Sequence, residues 1–331
     1  MSYRSTIARQ PQALADTHAA ASEELKGLDV SSLDQPLIGI TGIGASYAAA
    51  VVAAGQLQHR GRRAFAIRSC DMSAGHDLAD ALIGLSHRGR SVETVEAFER
   101  LPSASRLAIT SDSESPLAKA ANLHLRLNNG SDATPSSTGY SATLLATGMV
   151  LDKLTGENTD WAQLTTSVGD VLATAAAKME RLGKLFKGRR AIDCVGAGSA
   201  LGTADGASLL IREAARIPAS AYDTRHYLHG PLEAMDETTG VLIVGNGREI
   251  QLAQQVDKIG CPCLLITTSD GIADGQNLTV IKVPSWDNRL AQGIIDILAP
   301  QLFAAQLSDD LGLTDVKFRY RMSDTKVPAA A

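Results

Sequence analysis

Short runs of apolar residues alternate along the first half of the chain with longer segments whose apolar positions recur at helical spacing. The apolar runs predict strands at residues 37–41, 64–68, 81–86, 106–110 and 123–127. The segments between them predict helices near residues 46–57, 92–100, 115–121 and 137–154. Strands that alternate with helices form parallel sheets with helices on both faces. The predicted fold class is therefore α/β, with a doubly wound parallel sheet.

The same pattern recurs in the second half of the chain. Three short motifs return in the same order and at nearly the same offset: TGIG at 41–44 and VGAG at 195–198, ITSD at 109–112 and ITTS at 266–269, NLHL at 122–125 and NLTV at 277–280. An ordered set of matches indicates two copies of one fold. We expect one domain over residues 1–156 and a second over residues 157–331, with a helical connection at residues 161–186.

Composition is that of an ordinary folded protein. The chain has 331 residues, of which 44% are hydrophobic and 20% are charged, which suits about two domains. Its net charge of −5 argues against a nucleic-acid partner that needs a large basic surface. Aromatic residues make up only 4% of the chain, so recognition by base stacking is also not expected.

Targeting and metal-binding signals are not evident in the sequence. The first ten residues have no apolar core, so we expect no signal peptide, and we find no apolar stretch of the ~18 residues that span a bilayer. We therefore expect a cytoplasmic protein with no membrane partner. The four cysteines, Cys70, Cys194, Cys261 and Cys263, lack zinc-ligand spacing and are expected to be mostly buried small side chains.

Ligands of open parallel sheets bind at the carboxyl ends of the strands, so the turns that follow the strands are the candidate site. The first turn contains Gly44, Ala45 and Ser46 and opens a helix. Glycine lets the backbone approach a ligand, and a helix N-terminus favours an anion. The turn is neither a dinucleotide fingerprint nor a P-loop.

A second turn carries the stronger signal for an anion. Between a strand and a helix it places Ser86, His87, Arg88, Gly89, Arg90 and Ser91. Phosphate is bound by N–H groups, hydroxyl groups and positive charge, and this turn offers all three. We expect it to hold a phosphate, with help from Ser46 and from Ser137 in the hydroxyl-rich turn at residues 128–138. The alternative is a solvated turn in which Ser91 caps the helix.

The second copy lacks the serines of that turn, because its residues 244–248 read VGNGR. We therefore expect one site per chain, built mainly on the first copy. The second copy offers Glu213 in a helix and His229 before a Gly-Pro pair. A carboxylate can act as a base, and histidine exchanges protons near neutral pH. The alternative for each is a purely structural role.

These segments together resemble the sugar isomerase (SIS) family, most closely members with two copies of the domain, such as the isomerase half of glucosamine-6-phosphate synthase. The resemblance extends over nearly the whole chain. It rests on residues 7–11 (IARQP), 44–47 (GASY), 86–91 (SHRGRS), 137–138 (ST) and 196–232, which align without gaps through HGPL. It implies two tandem SIS domains, each a flavodoxin-like three-layer sandwich.

The resemblance also implies roles for individual residues. Glu213 would move a proton between C1 and C2 of an open-chain phosphosugar, and His229 would open the sugar ring. Lys326, in the C-terminal tail, would close over the sugar. In the family the histidine comes from the neighbouring subunit, which implies a homodimer with a shared active site. The implied chemistry needs neither a metal nor another cofactor.

The sequence departs from the family pattern at three places. Leu210 stands where synthases have a lysine one helical turn before the glutamate, and Arg88 and Arg90 replace a serine and a glutamate in the phosphate loop. Residue 2 is serine, not a cysteine nucleophile, so we expect no glutaminase activity. The expected function is isomerisation, deamination or deglycation of a phosphorylated amino- or ketosugar. The alternative is a non-catalytic phosphosugar sensor, which the presence of both Glu213 and His229 disfavours.

Overall fold

Two five-stranded parallel sheets form the centre of the protein in a computed structural model, which describes residues 2–72, 78–313, 317–320 and 322–328. The first sheet contains β1 (Ile38–Gly42), β2 (Ala64–Arg68), β3 (Ala81–Leu85), β4 (Ser105–Thr110) and β5 (Leu123–Arg126). The second contains β6 (Ile192–Gly196), β7 (Ala219–Asp223), β8 (Gly240–Val244), β9 (Cys263–Thr267) and β10 (Leu278–Lys282). The strand orders, β2-β1-β3-β4-β5 and β7-β6-β8-β9-β10, are the same. The α/β class and the five predicted strands of the first sheet are confirmed.

Helices cover both sheets. In chain order they are α1 (Tyr3–Ala8), α2 (Gln10–Gly27), α3 (Ala45–His59), α4 (Val92–Arg100), α5 (Pro116–Ala120), α6 (Thr138–Thr155), α7 (Trp161–Ala176), α8 (Met179–Phe186), α9 (Ala200–Leu210), α10 (Thr224–Tyr227), α11 (Arg248–Ile259) and α12 (Arg289–Asp310). The predicted connection at residues 161–186 is two helices, α7 and α8. Gly156 ends α6 in a left-handed conformation (φ 75°), which glycine adopts without strain.

Helices α3 and α9, which follow β1 and β6, pack against each other in antiparallel directions. Gly202 at the start of α9 lies against the backbone of Ala48, where an added Cβ would come within 2.5 Å of the carbonyl oxygen. Ser199 lies beside Gly55, further along α3, and Leu209 lies beside Gly44 at its beginning. The C-terminal end of α9 is therefore held at the N-terminal end of α3.

One continuous apolar core joins the two halves of the chain. It includes Ile38 and Ile40 from the first sheet, Ile192 and Leu242 from the second, and helices from both. Burial of these side chains fixes the two sheets relative to each other, because removing apolar surface from water is the main favourable term in folding. The boundary at residue 156 stays a prediction.

Helix α12 corrects one expectation from the sequence. Its 22 residues are long and apolar enough to cross a membrane by length and composition alone, although no such segment was expected. However, 83% of its most apolar window is buried inside the protein. Such burial is typical of a core helix, whose apolar side chains contact neighbouring helices.

Candidate functional site

A cavity of about 450 Å³ lies at the carboxyl ends of the first sheet's strands. It is lined by the start of α3, the loop after β3, the loop before α6, the end of the π-helical turn after α9, and the C-terminal tail. Of the residues predicted from the sequence, it brings together Gly44, Ala45, Ser46, Ser86, His87, Arg88, Ser91, Glu213 and Lys326. Side chains separated by up to 282 positions therefore share one space.

The loop after β3 is a tight turn that directs hydroxyl groups into the cavity. Gly89 has φ 61°, and a Cβ there would come within 2.1 Å of the Ser115 hydroxyl, so only glycine fits. The turn brings the buried Ser86 and Ser91 hydroxyls to 3.4 Å from each other. Arg88, between them in the chain, is exposed. Hydroxyl donors and a guanidinium at a helix start are a suitable set for phosphate oxygens.

Two helix N-termini meet at this cavity, those of α3 and α4. Gly44 precedes α3 with φ 58° and accepts hydrogen bonds from the N–H groups of Tyr47 and Ala48. Ser91 precedes α4, but its side chain makes no capping hydrogen bond. The positive ends of both helix dipoles therefore face the same space, which favours an anion. The capping role considered for the Ser91 side chain is not seen.

The C-terminal tail crosses the phosphate loop. Lys326 pairs with Ser91 in an antiparallel β-bridge, and its Nζ donates to the Ser91 Oγ at 2.8 Å. The Val327 N–H donates to the Arg90 carbonyl at 2.9 Å, and Arg90 Nε donates back to the Val327 carbonyl at 3.0 Å. Burial lowers the pKa of Lys326, and Arg88 lowers it further while Glu93 opposes them. An anion bound here would oppose this shift, because a nearby negative charge favours the charged form of a lysine.

Glu213 lies in a π-helical turn, Ile211–Ala215, that continues α9. Such turns are rare and are frequent at functional sites. Arg216 follows in the left-handed conformation (φ 59°), which ends the helix and is uncommon for a residue other than glycine. Burial raises the pKa of Glu213 from 4.5 to about 7. A carboxyl group with that pKa exchanges protons readily near neutral pH.

Two predicted residues do not line the cavity of the single chain. Ser137 is fully buried, and its hydroxyl donates to Thr6 Oγ1 at 2.8 Å and to Asp132 at 3.3 Å. It is held behind the cavity wall because its hydroxyl is used to anchor the N-terminal helix. His229 is exposed after α10, outside the cavity lining. The His229 side chain is therefore accessible to a second copy of the chain.

Asp132 is a lining residue that the sequence analysis did not single out. Its carboxylate accepts from the Ser136 hydroxyl at 2.7 Å and from the backbone N–H groups of Ser137 and Gly139. It therefore takes the place of a capping side chain at the start of α6. The signal available was an aspartate four residues before a Ser-Ser-Thr segment that opens a long helix, typical of a loop stabilised by side-chain-to-backbone bonds.

Two more residues bear on the site: Arg90, which the sequence analysis placed in the phosphate turn without a role of its own, and Tyr3, which it did not single out. Arg90 lines the cavity, and its Nη2 is buried without a hydrogen-bond partner among the described residues. Tyr3 is buried, and its hydroxyl likewise has no partner in the described part of the chain. Burial, followed by the charges of Glu213 and Asp132, raises the pKa of Tyr3 well above its usual value. Its hydroxyl therefore lies near the carboxyl groups of the site. Within the described residues, no group of three His, Cys, Asp or Glu side chains is placed to hold a metal ion.

Comparison with known proteins agrees with this geometry. Residues 34–154 match the SIS domain. Glutamine–fructose-6-phosphate aminotransferase [isomerizing] of Sulfolobus acidocaldarius is 22% identical over 251 residues, covering 73% of this chain and 42% of that protein. The chain spans about two fifths of the length of the curated relatives it matches.

Two solved structures share the architecture over almost their whole length. The C-terminal domain of glucosamine-fructose-6-phosphate aminotransferase from Francisella tularensis matches with a TM-score of 0.79 at 18% identity, over 96% of this chain and 98% of that one. Glucosamine-6-phosphate deaminase from Thermotoga maritima also matches with a TM-score of 0.79 at 18% identity, over 97% and 98%. The resemblance found in the sequence is confirmed: residues 34–154 match the SIS domain, and the chain is homologous to the isomerase domain of glutamine–fructose-6-phosphate aminotransferase, whose fold it shares.

Proposed function

We propose that this protein is an enzyme that moves a proton between C1 and C2 of an open-chain phosphorylated amino- or ketosugar. The observation that carries the proposal is the position of Glu213, which lines the same cavity as Ser86 and Ser91. A phosphate held by the serine loop fixes the position of the sugar chain, and a carboxyl group with a pKa of about 7 stands beside it. Fixed positioning and a base matched to neutral pH are the two requirements of proton transfer.

The Glu213 carboxylate removes the hydrogen at C2 as a proton, and the electron pair forms the C1–C2 double bond while the C1 carbonyl oxygen takes a proton from water, which gives an enediol or, with a 2-amino sugar, an enolamine. Glu213 then returns the proton to C1. The 2-hydroxyl or 2-amino group releases a proton to water when C1 is protonated. A sugar with a 2-hydroxyl group leaves as the ketose. A sugar with a 2-amino group becomes a ketimine, which water hydrolyses to a ketose and ammonia. Isomerisation and deamination thus share the step that Glu213 performs.

We assign supporting roles to Lys326 and His229. Lys326 lies on the phosphate loop through its bond to Ser91, so it is placed to close the cavity over a bound phosphate. His229 is exposed in the single chain, and we propose that it opens the sugar ring in the cavity of a second copy. The active form would then be a homodimer with shared sites, in the cytoplasm. The second sheet, with its identical strand order, would be a second SIS domain over residues 157–331.

A non-catalytic phosphosugar sensor is the alternative that the serine loop alone would support. Such a protein needs the phosphate cavity but has no use for a buried carboxyl group there. Partial burial of Glu213, which makes no hydrogen bond to the residues that the structure describes, costs stability because a desolvated carboxyl group resists ionisation. That cost is explained by a catalytic role and is not explained by binding alone.

The experiment that tests the proposal uses a panel of hexose and hexosamine 6-phosphates. Each is incubated with the purified protein and assayed for ketose and for released ammonia. Formation of ketose from at least one phosphorylated sugar supports the proposal, and ammonia release identifies a deaminase. Tight binding of a phosphosugar without either product supports the sensor.

A further inference from the structure

A second cavity, of about 200 Å³, lies at the carboxyl ends of β6, β8 and β9 in the second sheet. It occupies the edge of this sheet that corresponds to the Glu213 cavity of the first, yet the two cavities share no lining residue. Its walls come from the turns after the three strands and from the beginning of α12. A volume below the usual range for drug-sized ligands suits a small molecule.

Two polar atoms on the cavity wall are left without partners. Thr203 is 1% exposed, and its Oγ1 has no hydrogen-bond partner among the residues that the structure describes. The same is true of the Trp286 Nε1, which is also buried. Buried polar atoms are almost always hydrogen-bonded, because leaving one unpaired costs its full desolvation. Two such atoms on one cavity wall point to a ligand that pairs with them.

The charged groups of the cavity distinguish it from the phosphate site. Asp296 and Glu249 are each 7% exposed and both line the cavity. Gln292 Nε2 donates to one oxygen of Asp296 at 2.7 Å. Arg289 is the only basic side chain in the lining. Burial raises the pKa of Asp296 to about 7, and a cation bound beside it would favour its ionised form. Two carboxyl groups against one guanidinium then favour a positively charged group over a phosphate.

The neighbouring polar groups suit hydroxyl groups on a ligand. The Asn246 Oδ1 accepts hydrogen bonds from the Thr267 hydroxyl at 2.8 Å and from the Thr268 N–H at 2.9 Å. Asn246 lines the cavity, and its amide N–H₂ makes no hydrogen bond within the described part of the chain. With Thr203 and the indole of Trp286, the wall offers both donors and acceptors beside an aromatic ring, which is typical of a specific polar ligand site.

We propose that this second cavity binds a small polyhydroxylated molecule that carries an amino group and no phosphate, a free amino sugar being the representative probe. The ammonium group would pair with Asp296 and Glu249. The hydroxyl groups would pair with Thr203, Asn246 and Trp286. The protein would thus hold an unphosphorylated amino sugar at a site separate from the one in which it processes phosphorylated sugars.

Tryptophan fluorescence and calorimetry with glucosamine test this proposal. The chain has only two tryptophans, and Trp161 is buried with its Nε1 bonded to Asp152, so a ligand-dependent signal would come from Trp286. We expect glucosamine to change the fluorescence of the wild type and of Ser86→Ala, which impairs the other cavity. We expect Trp286→Phe to abolish the change, and Asp296→Asn to weaken binding roughly tenfold or more.

Thr203→Val tests the proposal with a variant that is expected to keep the fold. Valine has nearly the same shape as threonine, so we expect glucosamine binding to weaken about fivefold while the melting temperature without ligand rises, because an unpaired buried hydroxyl has been removed. N-acetylglucosamine, which lacks the charge, is the ligand control. The absence of saturable glucosamine binding, binding unchanged by Asp296→Asn and Thr203→Val, or equal binding of N-acetylglucosamine would each overturn the proposal.

Discussion

Lys326 Nζ donates a hydrogen bond to Ser91 Oγ at 2.8 Å, across 235 positions of the chain. This contact attaches the C-terminal tail to the residue that precedes α4, within the proposed phosphate loop. A lysine so placed contacts any anion that the loop holds. Its position also explains why burial and Arg88 lower its pKa in the absence of an anion.

Replacing Lys326 with methionine therefore weakens the binding of phosphorylated sugars. We expect an affinity loss of roughly 10-fold, because a charge-assisted hydrogen bond is lost. Binding of the corresponding unphosphorylated sugar should change little. Lys187→Met, at an exposed position after α8, is the matched control. Calorimetric titration of both variants measures the affinities. An equal loss of affinity in the control would contradict the proposed role of Lys326.

Ser86→Ala tests the phosphate loop directly. The Ser86 hydroxyl is buried and lies beside that of Ser91, so its loss leaves phosphate with one donor fewer. We expect affinity for a hexose 6-phosphate to fall about 10- to 100-fold. Ser167→Ala, whose hydroxyl bonds only to its own helix at Leu164, is the control. If the wild type binds the phosphorylated and unphosphorylated sugars equally well, the loop is not a phosphate site.

Mixing two inactive variants tests the shared site. Glu213→Gln disables the base of a chain's own cavity, and His229→Asn disables the histidine that the chain would supply to its partner. A mixed dimer then has one site with both changes and one with neither. An equal mixture should recover about a quarter of the wild-type activity after subunit exchange. Sedimentation must show that dimers form and exchange subunits. If they do and no activity is recovered, each site is built from one chain.

The buried carboxyl group of Glu213 should cost stability at high pH. Its pKa of about 7 lies above the unfolded value of 4.5, so the folded state holds its proton longer as pH rises. The free energy of unfolding therefore falls as pH rises from 4.5 to 7, and it stays at the lower value above pH 7. Glu213→Gln should therefore be about 1–3 kcal/mol more stable than the wild type at pH 8, somewhat less than the full shift because Glu213 is partly exposed to solvent. Near pH 4.5 the difference should vanish. Urea unfolding at the two pH values measures it, and a pH-independent difference would contradict the assignment.

Much of the fold could be predicted because the strands are fully buried. The five-residue strands β1, β3, β6, β8 and β9 are buried at every position and largely apolar, as expected for sheets covered on both faces. The loop from Ser86 to Ser91 could be predicted for a related reason. Its polar residues follow one such strand directly, and the strand's carboxyl end fixes where they lie.

The rest of the site depends on contacts that local patterns do not encode. Asp132 and Ser137 are close in sequence and both polar, and only packing against Thr6 decides that Ser137 is buried while Asp132 faces the cavity. The second cavity was not expected from the sequence. Residues 244–248 lack the serines that predict a phosphate site, but the cavity at the ends of these strands is still present. Its polar wall includes Asp296, which belongs to α12, a helix that the sequence analysis did not connect with a site.

The most direct test of the central claim is exchange of the C2 hydrogen of a bound phosphosugar with deuterated water, followed by NMR. Glutamine keeps the shape of Glu213 and cannot accept the proton, and general base catalysis contributes typically 10²–10⁴-fold to rate. Wild-type protein should exchange the C2 hydrogen, faster as pH rises through about 7. Glu213→Gln should bind the same sugar with similar affinity and exchange it at least 100-fold more slowly. Tight binding without exchange by the wild type, or undiminished exchange by Glu213→Gln, would contradict the proton-transfer account.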